Sequence, residues 1–248
     1  MIRKKHQGIE WLEFRQLQEF SNLKHALFLR HGGVSVGSFG SLNAGGGSGD
    51  DPASVEENRK RMMEFFLDGT LISAHQVHGI HIEKVEGPWV FQGGCDGLIT
   101  KEKKQVLMIK HADCQAALFY DPIQKILAHV HCGWRGNVQN IYERTVESLK
   151  AMGSSPRDLL VCISPSLGPY NSEFIHYKTE FPVHFQEFQW KEFYFNLWDL
   201  SHQQLKEAGV LSSHIEIAQI CTHSCKEDYF SYRRDKISGR HASLAMLC

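Results

Sequence analysis

Long apolar runs and an excess of charge of either sign are missing from this sequence. Its 248 residues include 27 Lys and Arg against 28 Asp and Glu, which gives a formal net charge of −1. Bulk electrostatic attraction to nucleic acid or to an anionic membrane is therefore not expected, and a small-molecule partner is favoured. No apolar run approaches the roughly 20 residues of a transmembrane helix, and the initial MIRKKHQGIEWLEF has no apolar signal-peptide core. We therefore expect a cytoplasmic protein.

A paired cysteine framework is also missing, because the seven cysteines are odd in number and irregularly spaced. Without a secretion signal we expect reduced thiols, which in such proteins are more often ligands or nucleophiles than halves of disulfides. Histidine, by contrast, is abundant, with 15 residues. This abundance supplies ligands, but it also makes chance clusters more frequent.

The glycine-rich segment NAGGGSGDDP (43–52) lacks the GxxxxGK[ST] pattern of a nucleotide-binding P-loop. The helix predicted after it has an acidic first turn, which would repel phosphate. Asp51 can cap that helix and Pro52 suits its first position. We therefore expect a flexible loop at the border of a pocket rather than a triphosphate site.

Short apolar, β-branched or aromatic runs predict strands in the middle of the chain, and QVLMIKHADC, QAALFYDP and KILAHVHCG are expected to be neighbours. NVQNIYERTVESLKAMG has apolar residues at helical spacing and predicts a helix that stops at Gly153. Further elements are strands in LISAHQVHG and DLLVCISP, a helix in NLWDLSHQQLKEAG, and closing strands in HIEIAQI and HASLAML. We expect one mixed α/β (α+β) domain over residues 1–248, with mixed strands and flanking helices.

Reactive side chains concentrate at three predicted strand ends: AHQVHGIH (74–81), HADC (111–114) and HVHCGWRG (129–136). Strand ends and the turns after them are where α/β folds usually expose working side chains. Two histidines and one cysteine would suit a catalytic zinc with an open fourth position. A Cys114 nucleophile activated by a histidine fits the same segments, and spacing alone leaves both alternatives open. CTHSC (221–225) has no second cysteine pair and falls short of a structural zinc motif.

Seven motifs occur in a fixed order: RHGGVSVGSFGSLNAGGGSGDDPASVEENR, QVHG, CDGLIT, ADC, HCGWRG, SPSLGP and FSYRRDKISGR. They extend from about residue 28 to the C-terminus, nearly the whole chain. The ordered set resembles the bacterial multicopper polyphenol oxidoreductase family, also called the laccase-domain or purine nucleoside phosphorylase family. Any one tetrapeptide is weak, but the ordered set is highly specific.

The resemblance implies a metal or catalytic triad made of His78 in QVHG, Cys114 in ADC and His131 in HCGWRG. Cys132 stands where relatives commonly carry a small residue, and we expect it to be dispensable. The other histidines of these segments are then neighbours of the triad: His75, His81, His111 and His129.

Four polar residues match polar positions of the family pattern and are expected to bind substrate: Asn43, Arg59, Arg135 and Glu173. The chain departs from cysteine-rich relatives after the GP of SPSLGP. Those relatives carry two cysteines and a tyrosine there, where this chain has Tyr170, Asn171 and Ser172.

The activity that the resemblance implies is phosphorolysis of purine nucleosides (adenosine, inosine, guanosine and methylthioadenosine), together with deamination of adenosine. Zinc is the implied cofactor, with copper as a further possibility, and the partners are purine nucleosides and phosphate. For deamination, Asp113 or Glu173 would move the proton while activated water attacks C6 of the purine. For phosphorolysis, Arg59 or Arg135 would hold the phosphate.

Two alternatives belong to other functional classes. Copper-dependent oxidation of polyphenols is the older attribution of the family, but four-copper oxidases need about ten histidines in paired HxH elements, and this chain has one, His129–Val130–His131. The other alternative is a metal-binding or interaction protein without catalysis. A closed structural zinc site needs four ligands, whereas the matched triad offers three and leaves one position open.

Overall fold

The computed structural model describes residues 1–89 and 93–248. In chain order its strands are β1 (Ile2–His6), β2 (Ile9–Glu13), β3 (Leu23–Phe28), β4 (Thr70–Ser73), β5 (Ile82–Lys84), β6 (Gly97–Thr100), β7 (Gln105–His111), β8 (Gln115–Asp121), β9 (Ile126–Cys132), β10 (Leu160–Ile163), β11 (Gln189–Lys191), β12 (Tyr194–Phe195), β13 (Ile215–Ile217) and β14 (His241–Leu247). The α-helices are α1 (Pro52–Met63), α2 (Trp134–Val138), α3 (Ile141–Ala151), α4 (Tyr177–Glu180), α5 (Leu197–Glu207) and α6 (Tyr232–Asp235). Within the described ranges, no helix is long and apolar enough to cross a membrane.

Two six-stranded sheets form the centre of the molecule. The first has the order β1-β2-β3-β14-β7-β4, and the second has the order β13-β10-β8-β9-β6-β5. Inward side chains of both sheets, such as Leu107 of β7 and Leu118 of β8, belong to one buried cluster. The two sheets therefore pack face to face.

Helices cover the outer faces of both sheets. Met62 of α1 shares a buried cluster with Met108 of β7, so α1 covers the first sheet. Val146 of α3 and Leu205 of α5 share another cluster with Val130 of β9, so these helices cover the second sheet. The order helix, sheet, sheet, helix confirms the predicted mixed α/β class.

The helix after the glycine-rich loop begins where the sequence predicts, but its first turn carries no acidic side chain, so the expectation of an acidic first turn is wrong. Pro52 is its first residue, and the Asp51 side chain accepts hydrogen bonds from the N–H groups of Ala53 and Ser54. The next predicted helix is interrupted, because Asn140 adopts the left-handed conformation with φ 55° and caps α3. The segment therefore forms α2 and α3 rather than one helix, and the chain leaves α3 through Gly153 at φ 101°.

The three middle strands are not all neighbours, which corrects the expectation from sequence. β8 and β9 pair antiparallel in the second sheet, whereas β7 lies between β14 and β4 in the first sheet. Residues 112–114 carry the chain from one sheet to the other, so HADC is a crossing between layers rather than a hairpin turn. This crossing places Cys114 at the edge between the two sheets.

The expected strand in LISAHQVHG covers only Thr70–Ser73. Beyond it, the Gln76 side chain donates to the Lys110 carbonyl and accepts from the Lys110 N–H. These side-chain hydrogen bonds to the end of β7 take the place of the backbone hydrogen bonds that a longer strand would make. The segment to His78 is therefore a loop that crosses the same edge of the sheets as Cys114.

Candidate metal centre

His78, Cys114 and His131 meet at this edge. One ligand atom from each of the three side chains lies within 4.8 Å of the other two. The imidazole rings of His78 and His131 have centroids 4.9 Å apart and an interplanar angle of 83°. His131 is buried, Cys114 is partly buried and His78 is exposed, so the cluster is open to solvent on the His78 side.

Strand register explains why Cys114 and His131 are close. Gln115 of β8 pairs with Cys132 of β9, and Ala116 pairs with His131. Cys114 comes directly before this ladder and so lies beside the end of β9. His131 points toward the first sheet, since alternation puts it on the face opposite to Val130.

Asp96 organises the cluster although sequence reasoning did not single it out. Its fully buried carboxylate accepts a hydrogen bond from His131 Nδ1 at 2.8 Å. It also accepts from the backbone N–H groups of Val77, His78 and Gly79 at 3.1, 3.0 and 2.7 Å. These bonds hold the loop around His78, whose φ of 61° is uncommon for a residue other than glycine.

Electrostatics favour a charged pair in the cluster. Burial opposes ionisation of the Cys114 thiol, but the charge of His131 and hydrogen bonds from both histidines lower its pKa to about 6. Burial also opposes the charged form of His131, while the Cys114 charge and the Asp96 hydrogen bond raise its pKa to about 9. A thiolate is the form that binds metals and attacks electrophiles, so the shift of Cys114 favours a metal ligand and a nucleophile alike.

Two cavities share the cluster as part of their walls, with His78, Ala112, Cys114 and Tyr232 common to both. The first cavity, of about 560 Å³, extends to the loop Gly45–Ser48. The second cavity, of about 240 Å³, includes Trp134 and Phe174 in its wall. Two compartments therefore meet at the cluster, and beyond the four shared residues each has its own lining.

Asn43 and Arg59 hold the glycine-rich loop. The fully buried Asn43 accepts through Oδ1 from the N–H groups of Gly45 and Arg240 at 2.8 and 2.7 Å. Arg59 donates through Nε and Nη2 to the Ala44 carbonyl at 3.0 and 2.7 Å. Both residues are thus placed behind the loop that borders the first cavity.

Three other residues were predicted to bind substrate or to transfer a proton, and two of them line the second cavity. Asp113 and Arg135 line the second cavity, and the Arg135 guanidinium stacks over the Trp134 ring at 4.2 Å. The Asp113 carboxylate accepts from Thr222 Oγ1 at 2.7 Å and from the Arg233 N–H at 2.6 Å. Glu173 is exposed and lines neither cavity.

The neighbouring histidines fall into two groups. His129 is buried and its Nδ1 is bonded to the Leu107 carbonyl at 3.0 Å, and it is not part of the cluster. His81 interacts with Glu83 at 2.8 Å. His75 and His111 line the first cavity.

The other cysteines of interest are separated from the cluster. Cys132 is buried among apolar residues between the second sheet and α3, and it is among the residues that line the second cavity. In CTHSC, Cys221 Sγ accepts from the Gly168 N–H at 3.2 Å, whereas Cys225 is exposed. Within the described ranges, the group of three or more ligand-type side chains that could hold a metal is the one formed by His78, Cys114 and His131.

Sequence reasoning missed three further residues of the cavities. Lys110 and Arg240 line the first cavity, and Tyr232 lines both. Tyr232 and Arg240 lie within the motif FSYRRDKISGR, and Asp96 lies within CDGLIT. For these three residues the signal was therefore present in the motifs, whereas Lys110 lies outside all of them, and the motifs carry no information on which side chains converge.

Comparison with known proteins gives a consistent result. The family described as multi-copper polyphenol oxidoreductase laccase matches residues 24–248. A protein of Bacteroides thetaiotaomicron named purine nucleoside phosphorylase is 30% identical, covering 95% of this chain and 96% of that protein. Purine nucleoside phosphorylase YfiH of Escherichia coli is 33% identical, with coverage of 88% and 91%. The crystal structure of YlmD from Geobacillus stearothermophilus superposes with a TM-score of 0.85 at 29% identity, covering 98% of this chain and 97% of that one.

Proposed function

Because the chain belongs to the multi-copper polyphenol oxidoreductase laccase family, and relatives along nearly its whole length are named purine nucleoside phosphorylase, we propose that it is a zinc-dependent purine nucleoside enzyme. Its reactions are phosphorolysis of adenosine, inosine, guanosine and methylthioadenosine, and deamination of adenosine. The observation that carries the proposal is the convergence of His78, Cys114 and His131 where two cavities meet. Two cavities suit a reaction that joins two substrates.

The donor set fits zinc. Two imidazole nitrogens and one thiolate are ligands that zinc accepts, and three protein ligands leave a fourth position open for catalysis. Asp96 orients His131 through Nδ1, an arrangement that commonly fixes the tautomer of a metal-binding histidine. Copper also binds nitrogen and sulfur donors, with higher affinity in the usual divalent series. When bound, zinc supplies Lewis-acid chemistry and activates water.

Phosphorolysis requires a phosphate oxygen to attack C1′ while the bond from C1′ to the purine nitrogen breaks. The purine leaves with the electron pair and takes up the proton that dihydrogen phosphate loses. We assign the movement of that proton to Asp113, whose carboxylate is held in one orientation by Thr222 and Arg233 beside Cys114. The same carboxylate would transfer protons from the attacking water to the amino group at C6 of adenosine, which leaves as ammonia.

Substrate binding is assigned to residues of both cavities. Arg135 and the Trp134 ring offer a cation and an aromatic face to a nucleoside in the second cavity. Asn43 and Arg59 act through the glycine-rich loop that they hold. Glu173 would reach a substrate only at the rim, since it is exposed and outside both linings.

The test is incubation of the purified protein with inosine or adenosine, with and without inorganic phosphate, followed by chromatography. We expect free base and ribose 1-phosphate only when phosphate is present. We also expect inosine to form from adenosine without phosphate. If no purine nucleoside changes under either condition, the proposal is wrong.

The second candidate is copper-dependent oxidation of polyphenols, which the description of the family favours. The single HxH element argues against it, because His129 bonds to the Leu107 carbonyl and is not part of the His78–Cys114–His131 cluster. Oxidation of a phenolic substrate by copper-loaded protein that is inactive on nucleosides would favour this second candidate.

A further inference from the structure

The first cavity has an unusual charge distribution for a partly buried site. Apart from the Cys114–His131 pair, its described lining residues include two cations, Lys110 and Arg240, and no aspartate or glutamate. Within the described ranges, neither cation forms an ion pair with a carboxylate. Charges that are removed from water are normally paired, because the desolvation cost is otherwise uncompensated. An anionic ligand would supply the missing partner.

Lys110 is held in place by neutral groups. Its Nζ donates to Ser73 Oγ and to the Ala74 carbonyl, both at 2.7 Å. An ammonium group has three donors, so one remains for a ligand. Burial, aided by the charge of Arg59, lowers the pKa of Lys110 to about 8, as expected for a cation without a paired anion.

Arg240 is also held by neutral groups, and some of its N–H donors have no partner. Its Nη1 donates to the Ser238 and Gly239 carbonyls at 2.6 and 3.0 Å, and among the described residues its Nε and Nη2 have no acceptor. Its side chain crosses over Gly45, where a Cβ would lie 2.7 Å from Arg240 Cγ. The glycine at this position therefore lets the arginine lie along the loop and face the cavity.

The loop Gly45–Ser48 adds backbone donors to the same wall. In the described part of the chain, the N–H groups of Gly46 and Gly47 make no hydrogen bond. Successive free N–H groups form a concave surface that suits anions. Arg59 holds this loop from behind through the Ala44 carbonyl, so its charge adds to the field without filling the cavity.

We propose that inorganic phosphate binds in the first cavity, between the loop Gly45–Ser48 and the side chains of Lys110 and Arg240. This inference rests on the proposed function, because phosphate is the second substrate of phosphorolysis. It places phosphate on the opposite side of the cluster from Arg135, which lines the second cavity. Arg59 then acts as a positioning residue for the loop.

The sharpest perturbation is Gly47→Asp. A Cβ at Gly47 meets no atom within 4 Å, so the side chain fits, and its carboxylate places a negative charge in the cavity wall. Gly47→Asn is the matched neutral variant of nearly the same shape. We expect the KM for phosphate to be about 10- to 100-fold higher in the aspartate variant than in the asparagine variant.

Removing either cation from the cavity wall should also weaken phosphate binding. Arg240→Gln and Lys110→Met should each raise the KM for phosphate about 10- to 100-fold and change the KM for inosine much less. Lys150→Met, which removes an exposed cation at the end of α3, controls for general loss of positive charge. Arg135→Gln tests the competing location in the second cavity.

The proposal is overturned if the aspartate and asparagine variants at Gly47 have the same KM for phosphate, or if Arg135→Gln alone raises it. Calorimetric titration of inorganic phosphate into zinc-loaded protein separates this result from failure of the proposed function. If the wild type shows no phosphorolysis but binds phosphate, and Gly47→Asp abolishes that binding, the function is wrong and the phosphate site stands. If the wild type binds no phosphate, the site is wrong as well.

Discussion

Replacing Asp96 by asparagine should weaken zinc binding and lower the stability of the metal-free protein by comparable free energies. The carboxylate accepts four hydrogen bonds: one from His131 and three from the backbone of Val77, His78 and Gly79. An asparagine has one acceptor oxygen and turns an NH₂ group toward donors that previously met the second oxygen. The ring of His131 and the loop of His78 are therefore both released.

The magnitude follows from the type of contact that is lost. Replacement of residues that orient metal-binding histidines typically reduces metal affinity about 10- to 100-fold. Each hydrogen bond to a buried charge contributes about 1.5–3 kcal/mol. Since part of the network persists in the asparagine variant, we expect the free energy of unfolding of the metal-free protein to fall by about 2 kcal/mol.

The assay is competition for zinc against a chromophoric chelator, with urea unfolding of the metal-free protein in parallel. Asp121→Asn is the matched control, because Asp121 is also fully buried and accepts two backbone hydrogen bonds at 2.8 Å. It lies at the far end of β8 from Cys114, about 20 Å along the strand. Equal zinc affinity in wild type and Asp96→Asn would refute the reasoning, as would an equal loss in both variants.

Three further predictions follow from the surroundings of the cluster and from a buried histidine. Gly133→Ala would place a Cβ 3.1 Å from Cys114 Sγ, so we expect about tenfold weaker zinc binding in the same competition assay; unchanged affinity would show that the cluster tolerates crowding. Cys132→Ala should keep one zinc per chain by elemental analysis while the free energy of unfolding falls by about 1 kcal/mol, and loss of zinc would contradict the assignment of ligands. Burial lowers the pKa of His25 to about 4, whereas the unfolded chain binds that proton below about pH 6.5. The free energy of unfolding should therefore fall as the pH decreases from about 6.5 to 4, and this residue contributes on the order of 3 kcal/mol at most. The urea midpoint of His25→Gln should decline less over this range than that of the wild type. Parallel declines in the two proteins would contradict this assignment.

The class of the fold followed from sequence patterns, whereas the layering did not. The strands at Gln105–His111, Gln115–Asp121 and Ile126–Cys132 were predictable because each is a short apolar run. Their distribution over two sheets was not, since periodicity describes one strand at a time and says nothing about the path of residues 112–114. The break at Asn140 was hidden for the same reason, because a left-handed residue leaves the apolar spacing intact. That residues 1–248 form one domain stays a prediction.

The choice of histidine within each segment also required more than spacing. His75, His78 and His81 are equivalent in a sequence pattern, but His78 is the one that the Asp96 carboxylate brings into the cluster through the backbone. Asp96 was not singled out within the motif CDGLIT, because an aspartate before glycine is typical of an exposed turn. Its burial depends on the fold around it.

The polar residues that match the family motifs show that a motif does not reveal what a side chain contacts. Asn43 and Arg59 were expected to bind substrate, and the structure places their side chains on the backbone of the glycine-rich loop. Lys110 was not singled out, because it looks like an ordinary strand residue until its partners Ser73 and Ala74 are known. Resemblance to a family therefore identifies the segments that form a site. The hydrogen bonds in the structure are needed to tell which side chains face the cavity and which ones hold the backbone.

The most direct test of the central claim is a zinc titration of metal-free protein during the cleavage of inosine in phosphate. If His78, Cys114 and His131 hold the ion that the reaction needs, the rate of hypoxanthine release should rise linearly and level off at one zinc per chain. Cys114→Ser should bind less zinc and remain inactive. Full activity of the metal-free protein, or saturation at a stoichiometry that Cys114→Ser leaves unchanged, would contradict the account.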